Sequence, residues 1–555
     1  MSNESATASR TQSPQSGPRR GPRHVWFPIV VVLAVAAWLA WRRSLANYQT
    51  LYHVVAILVG ALLISFWFAD YGGLRRRIGR TIVAVAWLTV LLVFRPVHNG
   101  DMGIVSWRWR FGAADDERLA DVKAHDRIDD WQSTPRDYPR FLGNGPWPEV
   151  TGVRLETDWQ TQPPQLVWRR EIGAGWSAFA AVGRYAFTQE QRGEHEMVTC
   201  YRVEDGSPVW AHADAARFDP AGSGGLGDVG PRATPTIVGD RVFTQGATGV
   251  VNCLNARTGE VVWSHDTVKE TGIDLLTWGK SGSPLVVDDM VLISIGAPAD
   301  TLADGESALA GGPNGTAFHS SLIAYDIETG KVRWSAGTRQ ASYSSPIATT
   351  LAGERQIICV NEHHLSAHRV SDGKVLWEYP WPGEQDTTAT ASQPVPVGGD
   401  RMFVSKGYGV GASLLEISRG GAGQWAAAPL WNPPVRPVMK TKLSNVVVRD
   451  GFVYGLDEVL LECIELDSGR VMWKKRRQPA FGHGQLLLVG DVMLVLSEAG
   501  ELAVVEASPE RYHELAHIQA LDPDEITWNT PAFAPPFLLI RNAKEAACYR
   551  LPLKH

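Results

Sequence analysis

The stretch Cys253-Leu-Asn-Ala-Arg-Thr-Gly-Glu-Val-Val-Trp263 decides how this chain folds. Apolar residues recur with a period of two on either side of Thr258-Gly259, a pattern typical of two short strands joined by a tight turn. The same pattern returns in four further segments: Cys200–Trp210, Ala324–Trp334, Ala367–Trp377 and Cys463–Trp473. A pattern that recurs so regularly indicates a structural repeat.

A second pair of short strands is expected upstream of most of these hairpins. The pattern is seen in four stretches: Thr234–Phe243, Ser283–Leu292, Ser345–Ile358 and Asn445–Tyr454. Each unit therefore supplies four strands within a period of roughly 40–50 residues, which is the signature of a β-propeller blade.

The tryptophans that end the outer strands give the number of blades. Leu515 takes the eighth place in a series whose other members are Trp168, Trp210, Trp263, Trp334, Trp377, Trp431 and Trp473. We expect these tryptophans to pack between blades. The first Trp strand, 165–168, lacks predecessors, and the last unit, 529–551, lacks a Trp strand. The two should complete one blade together, which would close the ring and remove exposed strand edges.

Cysteine usage favours a structural role for the thiols. Four of the five cysteines fall at the small-residue position of the third strand, where Ala324 and Ala367 also lie: Cys200, Cys253, Cys463 and Cys548. A thiol in such a position behaves as a small buried hydrophobe. No C-x-x-C pair is present, so the spacing of a structural zinc site is absent.

The first hundred residues predict a membrane anchor. Residues 1–24 are rich in Ser, Pro and Arg and are expected to be a disordered basic tail. Apolar runs then predict transmembrane helices over 25–41, 51–68 and 81–97. The third run proper covers only 81–94, and a buried or interfacial helix is the alternative; spanning requires Pro96-Val97 to extend it. Residues 98–136 are expected to be a linker and 137–555 the propeller.

The charge distribution predicts how such an anchor would be oriented. Residues 1–97 carry 11 Arg and two acidic residues, whereas the remainder carries 42 basic and 57 acidic residues. Eight of the arginines lie in the N-terminal tail and the second loop, and two in the first loop. Basic segments stay inside, so the expectation is an integral inner-membrane protein with its propeller on the periplasmic side. If the third segment does not span, the body is cytoplasmic. The acidic body argues against nucleic-acid binding, which depends on phosphate neutralisation.

Two groups of residues resemble a known family. Asn252–Trp263 and Ile323–Trp334 resemble the ALDAxTGxxxW repeat of the pyrroloquinoline-quinone (PQQ) propeller superfamily. That superfamily includes quinoprotein alcohol dehydrogenases and the propeller lipoprotein of the bacterial outer-membrane assembly machine. The segment Asp137-Tyr-Pro-Arg-Phe-Leu-Gly143 resembles the D-W-P-x-F-R-G segment of bacterial members. The resemblance covers about residues 137–555 and implies an all-β eight-bladed propeller, but a fold does not fix a function.

The resemblance to quinoprotein dehydrogenases implies a chemistry that this sequence does not repeat. Those enzymes bind PQQ with a calcium held by Glu, Asn and Asp, use an Asp as base, and often carry adjacent cysteines on the cofactor. No Cys-Cys dipeptide is present here, and the blades lack long pocket-building insertions. No catalytic residue, metal site or cofactor is therefore predicted. A PQQ-dependent oxidoreductase, with PQQ and calcium, remains the alternative function.

One collective feature points to a ligand. The inner strands should begin at the mouth of the central channel, where seven candidate binding residues fall: Trp176, Arg232, Tyr343, Lys442, Asn445, His483 and Asn529. The basic members could receive an anionic or polar group. The alternative is that these side chains cap strand ends and fill a wet channel. The favoured function is a binding or scaffolding module for protein segments or a polar ligand, with protein partners in an extracytoplasmic assembly.

Overall fold

The computed structural model describes residues 126–554 except 221–228, 297–319, 384–388, 422 and 432–435, together with short stretches between 78 and 122. One compact unit comprises Pro96–Trp107 and Gly112–His555 and contains the propeller. The other comprises Met1–Arg95 and Arg108–Phe111. Outside the propeller, two strands form a small sheet, β1 (Phe94–His98) and β2 (Ile104–Trp109), and a single helical turn follows, α1 (Asp115–Arg118).

Eight antiparallel sheets form the ring, and we letter them A to H in chain order. Blade A contains β5 (Ala180–Val182), β6 (Tyr185–Arg192), β7 (His195–Arg202) and β8 (Pro208–Asp214). Blade B contains β9 (Thr236–Val238), β10 (Arg241–Gln245), β11 (Val250–Asn255) and β12 (Val261–Asp266), followed by α2 (Thr267–Thr271). Blade C contains β13 (Leu285–Val287), β14 (Met290–Ser294), β15 (Leu322–Asp326) and β16 (Val332–Ala336). Blade D contains β17 (Ile347–Leu351), β18 (Glu354–Val360), β19 (His364–Arg369) and β20 (Val375–Pro380).

The second half of the ring repeats this order. Blade E contains β21 (Val395–Pro396), β22 (Arg401–Lys406), β23 (Gly411–Arg419) and β24 (Trp425–Pro429). Blade F contains β25 (Val447–Arg449), β26 (Phe452–Asp457), β27 (Leu460–Glu465) and β28 (Val471–Lys475). Blade G contains β29 (Gln485–Val489), β30 (Val492–Leu496), β31 (Glu501–Glu506) and β32 (Glu514–Gln519). Blade H contains β33 (Ala532–Ala534), β34 (Phe537–Arg541), β35 (Glu545–Arg550) and, as its outer strand, β4 (Gln165–Glu171). The eight-bladed propeller is confirmed.

The two ends of the propeller share blade H, as the sequence predicted. Strand β4 pairs antiparallel with β35, and Trp168 lies opposite Cys548. Every other blade is built from consecutive strands. The chain therefore closes the ring by hydrogen bonds between its first and last propeller strands.

The predicted tryptophans fasten neighbouring blades to one another. Six of the seven indole N–H groups donate to a main-chain oxygen of the next blade at 2.7–3.1 Å, the donors being Trp168, Trp210, Trp263, Trp334, Trp431 and Trp473. Trp377 differs, because its indole donates to the Gln356 side chain of its own blade. Trp431 lies two residues beyond β24 rather than within it. The packing role is nevertheless as expected.

Turn glycines complete these contacts. In five blades a glycine of positive φ lies directly beneath the tryptophan of the preceding blade, and an added Cβ would lie 2.4–3.0 Å from its ring or Cβ: Gly206, Gly259, Gly330, Gly373 and Gly469. The glycine of the Thr-Gly turn thus permits both the turn and the close approach of the indole. The repeat is conspicuous in the sequence because both partners of this contact recur.

The cysteines lie where the sequence placed them. Cys200, Cys253, Cys463 and Cys548 each stand directly opposite a tryptophan on the neighbouring strand, as Ala324 and Ala367 do. All five cysteines are buried and unpaired, and burial raises the pKa of Cys548 to about 12. They are packing residues.

The predicted membrane location is wrong. In the described part of the chain, no helix has both the length and the apolar character needed to cross a bilayer. The third predicted span, 81–97, required its last residues to continue a helix, but Phe94–His98 form β1. Pro96 lacks the N–H that a continuing helix would use. The tail 1–24 and the predicted spans 25–41 and 51–68 lie outside the described residues.

The segment 137–150 occupies the central channel, and we call it the plug. Asp137 holds its start, because its carboxylate accepts the N–H groups of Thr134 (2.7 Å) and Gly183 (2.9 Å). Tyr138 exchanges two main-chain hydrogen bonds with Ala181 of blade A, at 2.9 and 2.7 Å. Further along, β3 (Glu149–Val150) pairs in parallel with the inner strand β29 of blade G. The plug thus adds strand-like pairing to inner edges on one side of the channel.

Part of the predicted linker also packs on the propeller. Asp126 donates its N–H to Val209 (2.9 Å) and Ile128 donates to Arg257 (3.0 Å). Ile128 is buried among residues of blades A and B. The stretch before the plug therefore lies along the outside of two blades.

Candidate functional site

A cavity of about 210 Å³ lies at the channel mouth, where the inner strands begin, and we call it the upper cup. Residues from all eight blades line it, and Phe141 of the plug contributes as well. Five of the seven candidate residues are among the lining: Trp176, Arg232, Tyr343, Lys442 and Asn445. The structure therefore brings together most of the residues that the sequence singled out.

The start of the inner strands explains which side chains reach the cup. Four lining residues occupy the same place ahead of the inner strand of their blade. They are Trp176, Arg232, Tyr343 and Trp528, and they lie two residues before Ala178, Thr234, Ser345 and Thr530 respectively. Side chains alternate between faces along an extended segment. Asn529 falls one residue later in this register than Trp528. Its side chain is consequently buried beneath the cup, where it donates to the main-chain oxygen of Ser177 at 2.9 Å.

Aromatic rings form most of the wall. The rings of Trp176 and Trp528 lie 4.8 Å apart between centroids, tilted by 34°. The rings of Trp278 and Tyr343 meet edge-on, with their centroids 5.5 Å apart. Phe141 and Tyr408 bring the aromatic rings of the described lining to six. Burial raises the pKa of Tyr343 to about 12, so its hydroxyl stays protonated at neutral pH. Such rings offer large apolar faces with few rotatable bonds.

Two cations are among the described residues that line the cup. The Lys442 ammonium lies 5.0 Å from the centroid of Tyr408, and the Arg232 guanidinium lies 4.7 Å from that of Phe218. None of the described lining residues is an Asp or a Glu. The nearby Glu498 carboxylate accepts the Trp528 indole N–H at 2.7 Å, from outside the lining. The charged side chains of the described lining are therefore positive, a feature that favours anionic groups.

Beneath the cup, polar side chains join successive blades. The Ser283 hydroxyl accepts the N–H of Thr234 (3.0 Å), and the Ser345 hydroxyl accepts the N–H of Ser283 (2.9 Å). Asn445 continues the series, because its side-chain oxygen accepts the N–H of Gln393 at 2.8 Å. The alternative, in which these side chains cap strand ends, thus describes Asn445 and Asn529 well. Both side chains form hydrogen bonds with main-chain groups of a neighbouring blade.

His483 is the second candidate that does not line the cup. It is 1% exposed, and its N–H lies 3.4 Å from the Glu498 carboxylate. Sequence reasoning missed four aromatic lining residues, Phe141, Trp278, Tyr408 and Trp528. Trp528 shares the register of Trp176 and could have been found by aligning the starts of the inner strands. Tyr408 lies between β22 and β23, where that register gives no signal.

The lining does not suit the calcium-bound quinone of the dehydrogenases. Calcium binds through oxygen ligands, in which carboxylates are prominent, and the described lining residues of the cup include no carboxylate. Among the described residues, no group of three or more His, Cys, Asp or Glu side chains is placed to hold a metal ion. The side chains of the cup are instead suited to a ligand that combines flat apolar surface with negative charge.

One protein family and two individual proteins are similar to this chain in sequence. A family model described as outer membrane protein assembly factor BamB matches residues 194–475. A polyvinylalcohol dehydrogenase from Pseudomonas sp is 23% identical over 256 residues, which cover 43% of this chain and 33% of that protein. BamB from Yersinia pestis is 23% identical over 295 residues, which cover 51% of this chain and 63% of that protein. The matches therefore span less than two thirds of either relative.

Two solved structures are also similar to this chain. The crystal structure of BamB from Moraxella catarrhalis has a TM-score of 0.45 and 13% identity, covering 70% of this chain and 99% of that one. The quinohemoprotein alcohol dehydrogenase ADHIIG from Pseudomonas putida HK5 has a TM-score of 0.46 and 12% identity, covering 71% and 77% respectively.

Proposed function

Because the chain belongs to the family described as outer membrane protein assembly factor BamB, we propose that its propeller is a protein-binding module whose upper cup receives a segment of a partner protein. The composition of the cup carries this proposal. Six aromatic rings and two cations are among its described lining residues, and none of those residues is a carboxylate. The fitting partner is an extended segment that presents an aromatic residue beside acidic ones.

The expected binding energy comes from two sources. Aromatic side chains that enter a pocket of rings gain contact area at low cost in conformational entropy. Acidic neighbours then approach Arg232 and Lys442, whose charges are partly desolvated by the surrounding rings and therefore less screened than surface charges. A pocket with a few polar groups among apolar walls is the usual form of a ligand site.

A peptide-binding experiment on the full chain tests the proposal. The probe is a fluorescein-labelled peptide with Glu-Phe-Glu at its centre and Gly-Ser flanks, and Lys-Phe-Lys replaces that centre in the reversed-charge control. Anisotropy should report saturable binding of the acidic probe alone. Replacing Arg232 and Lys442 together by Met should weaken it by about tenfold or more.

Two controls keep the result interpretable. Replacing Arg511 and Lys331 by Met removes the same charge from exposed positions outside the cup and should leave probe binding unchanged. The cup variant should melt like the wild type, whereas Trp263→Ala should melt earlier. Equal probe affinity for the cup variant and the wild type, or a cup variant that melts as early as Trp263→Ala, contradicts the assignment.

A further inference from the structure

A second cavity, of about 530 Å³, lies beside the plug, and we call it the lower chamber. Plug residues 140–146 form one wall, and residues of blades B, C, D and E form the other. Phe141 of the plug lines both cavities, as do Ser283, Ser345 and Gln393. Thr350 and Asp400 are exposed, so the chamber opens to solvent at the end of the inner strands opposite the cup.

The strand β17 presents unpaired main-chain groups to this chamber. It joins β18 through the two-residue turn Ala352-Gly353, and Leu351 lies opposite Glu354. In such a hairpin the pair of residues next to the turn, here Leu351 and Glu354, exchanges main-chain hydrogen bonds. Every second pair further from the turn does the same. The N–H and C=O groups of Ala348 and Thr350 therefore point away from β18. Neither residue makes a main-chain hydrogen bond to the plug or to another blade in the described chain.

The other side of the channel shows what an inner edge of this kind binds. Where the plug pairs with β29 and with Ala181 of β5, those strands are buried along their whole length. In β17 only Leu351 is buried, and Thr350 is exposed. The plug pairs with these inner edges only at Tyr138 and at the two-residue strand β3, with turns and bends between them, so the channel already accommodates added main-chain pairing at two places. The inner edge of β17 is of the same kind, but no other strand of the described chain pairs with it.

Arg140 places a positive charge in this chamber. Its guanidinium donates to the main-chain oxygen of Asn144 at 3.2 Å, and no carboxylate of the described residues lies within ion-pair distance of it. Burial lowers the pKa of Arg140, although a guanidinium remains charged at any physiological pH. Asp400, the one acidic residue among the described residues of the lining, accepts the N–H of Ala352 at 2.7 Å. A carboxylate from outside would therefore complement Arg140.

We propose that the lower chamber binds an extended peptide segment of a partner protein, which pairs with β17 at Ala348 and Thr350 and places a carboxylate on Arg140. Main-chain hydrogen bonds provide affinity in such strand addition, and side-chain contacts provide selectivity. The Arg–carboxylate contact is charge-assisted and two-pronged. The residues proposed to bind the segment, Arg140, Ala348 and Thr350, line the chamber and not the cup, so the proposal does not depend on the function proposed for the cup.

The first test uses charge. A fluorescein-labelled peptide Gly-Thr-Val-Thr-Val-Thr-Glu with a free C-terminus is titrated with the full chain, beside a neutral version that ends in Gln-amide. The acidic peptide should bind about tenfold or more tightly than the neutral one. Arg140→Gln should abolish that difference, whereas Arg136→Gln, an exposed arginine of the same segment, should preserve it. An Arg140→Gln protein that still discriminates between the two peptides overturns the proposal.

The second test uses the backbone. Thr350→Pro removes the N–H that points into the chamber without removing a bond to β18, and proline is tolerated at such edge positions. It should weaken peptide binding by about tenfold, while Thr350→Val, which keeps the N–H, should not. If Thr350→Pro does not fold, the Arg140 comparison decides alone. Absence of saturable binding at about 1 mM protein, or loss of binding in the Arg232→Met, Lys442→Met double variant, also overturns the proposal, the latter by placing the peptide in the cup.

Discussion

The guanidinium of Arg541 donates a hydrogen bond to the main-chain oxygen of Gln189 at 2.9 Å, although 352 positions separate the two residues in the chain. Arg541 lies on β34 of the closing blade and Gln189 on β6 of the first. The same side chain also donates to Thr188 (3.0 Å) and Gly173 (2.6 Å), and it is fully buried. The closure of the ring thus depends on a polar contact as well as on strand pairing.

Removal of this guanidinium should destabilise the propeller. Arg541→Met leaves three buried acceptors without their donor and takes a cation from the buried Glu190 carboxylate. Breaking a buried charged contact from one side typically costs about 3–5 kcal/mol. Denaturant unfolding should show a loss of this order, whereas Arg550→Met, at an exposed position of the same blade, should change stability little. A loss of the same size in both variants would show that Arg541 has no special role.

The contact between turn glycine and tryptophan can be tested with a matched pair of glycines. Gly330 and Gly353 both adopt positive φ, at +68° and +76°. A Cβ on Gly353 would meet nothing within 4 Å, whereas one on Gly330 would lie 2.7 Å from Trp263. Gly353→Ala should cost about 1 kcal/mol through its backbone conformation alone, and Gly330→Ala a further 1–3 kcal/mol, approximately, from overpacking. Equal unfolding midpoints for the two variants would exclude the packing effect.

Truncation of the tryptophan itself should cost more. Trp263→Ala removes the ring and its hydrogen bond to Ile327 (3.0 Å) and leaves a cavity between blades B and C. Large-to-small changes of buried aromatic residues cost about 3–5 kcal/mol. The unfolding midpoint, measured under the conditions used for Gly330→Ala, should fall further than for that variant.

The buried Glu196 should make stability depend on pH. Burial raises the pKa of its carboxyl to about 7 from the ordinary value of 4.5, despite hydrogen bonds from Ala247 and Thr248. The folded state therefore binds more protons than the unfolded state between these values, and stability falls as pH rises through this window, by roughly 3 kcal/mol in all. Glu196→Gln should flatten the profile between pH 4.5 and 7, and Glu260→Gln, an exposed control, should not. An unchanged slope in Glu196→Gln would assign the dependence to other groups.

The alternative function is tested by adding the cofactor. We expect that the full chain, incubated with PQQ and calcium, neither acquires the absorbance of bound quinone after gel filtration nor oxidises alcohols or sugars. The reasons are that the sequence has no adjacent cysteines and that none of the described residues lining the cup is a carboxylate. Stoichiometric quinone binding with turnover would establish the oxidoreductase instead.

The ring was predictable because its defining residues repeat. Five of the seven tryptophans have a partner glycine one blade later, and the series of seven indoles indicated the blade number and the shared last blade. The cup was only partly predictable. Trp176 and Arg232 share the register that points into it, but Asn529 is one residue out of that register and faces a blade interface. Choosing residues by chemistry without aligning the strand starts caused this error.

The plug was not predictable from periodicity, because its pairing partners are single residues of distant blades. Tyr138 pairs with Ala181, and Glu149 lies opposite Leu488. Its sequence, Asp137–Gly143, was noticed only through a family resemblance, which gave no position in the fold. The third membrane span was wrongly predicted because its last residues, from Phe94 onward, form the strand β1 instead of continuing a helix.

The strand β4 that completes blade H is made about 380 residues before its partner β35. During synthesis on the ribosome the ring consequently stays open until β35 has been translated. The plug, which precedes β4 in the chain, is already present while the ring is open, so it can be laid against the inner strands from the side rather than threaded through a closed channel. A nonsense codon anywhere in β35 would release a protein with seven blades and an unsealed gap, and a quality-control protease would find its substrate there.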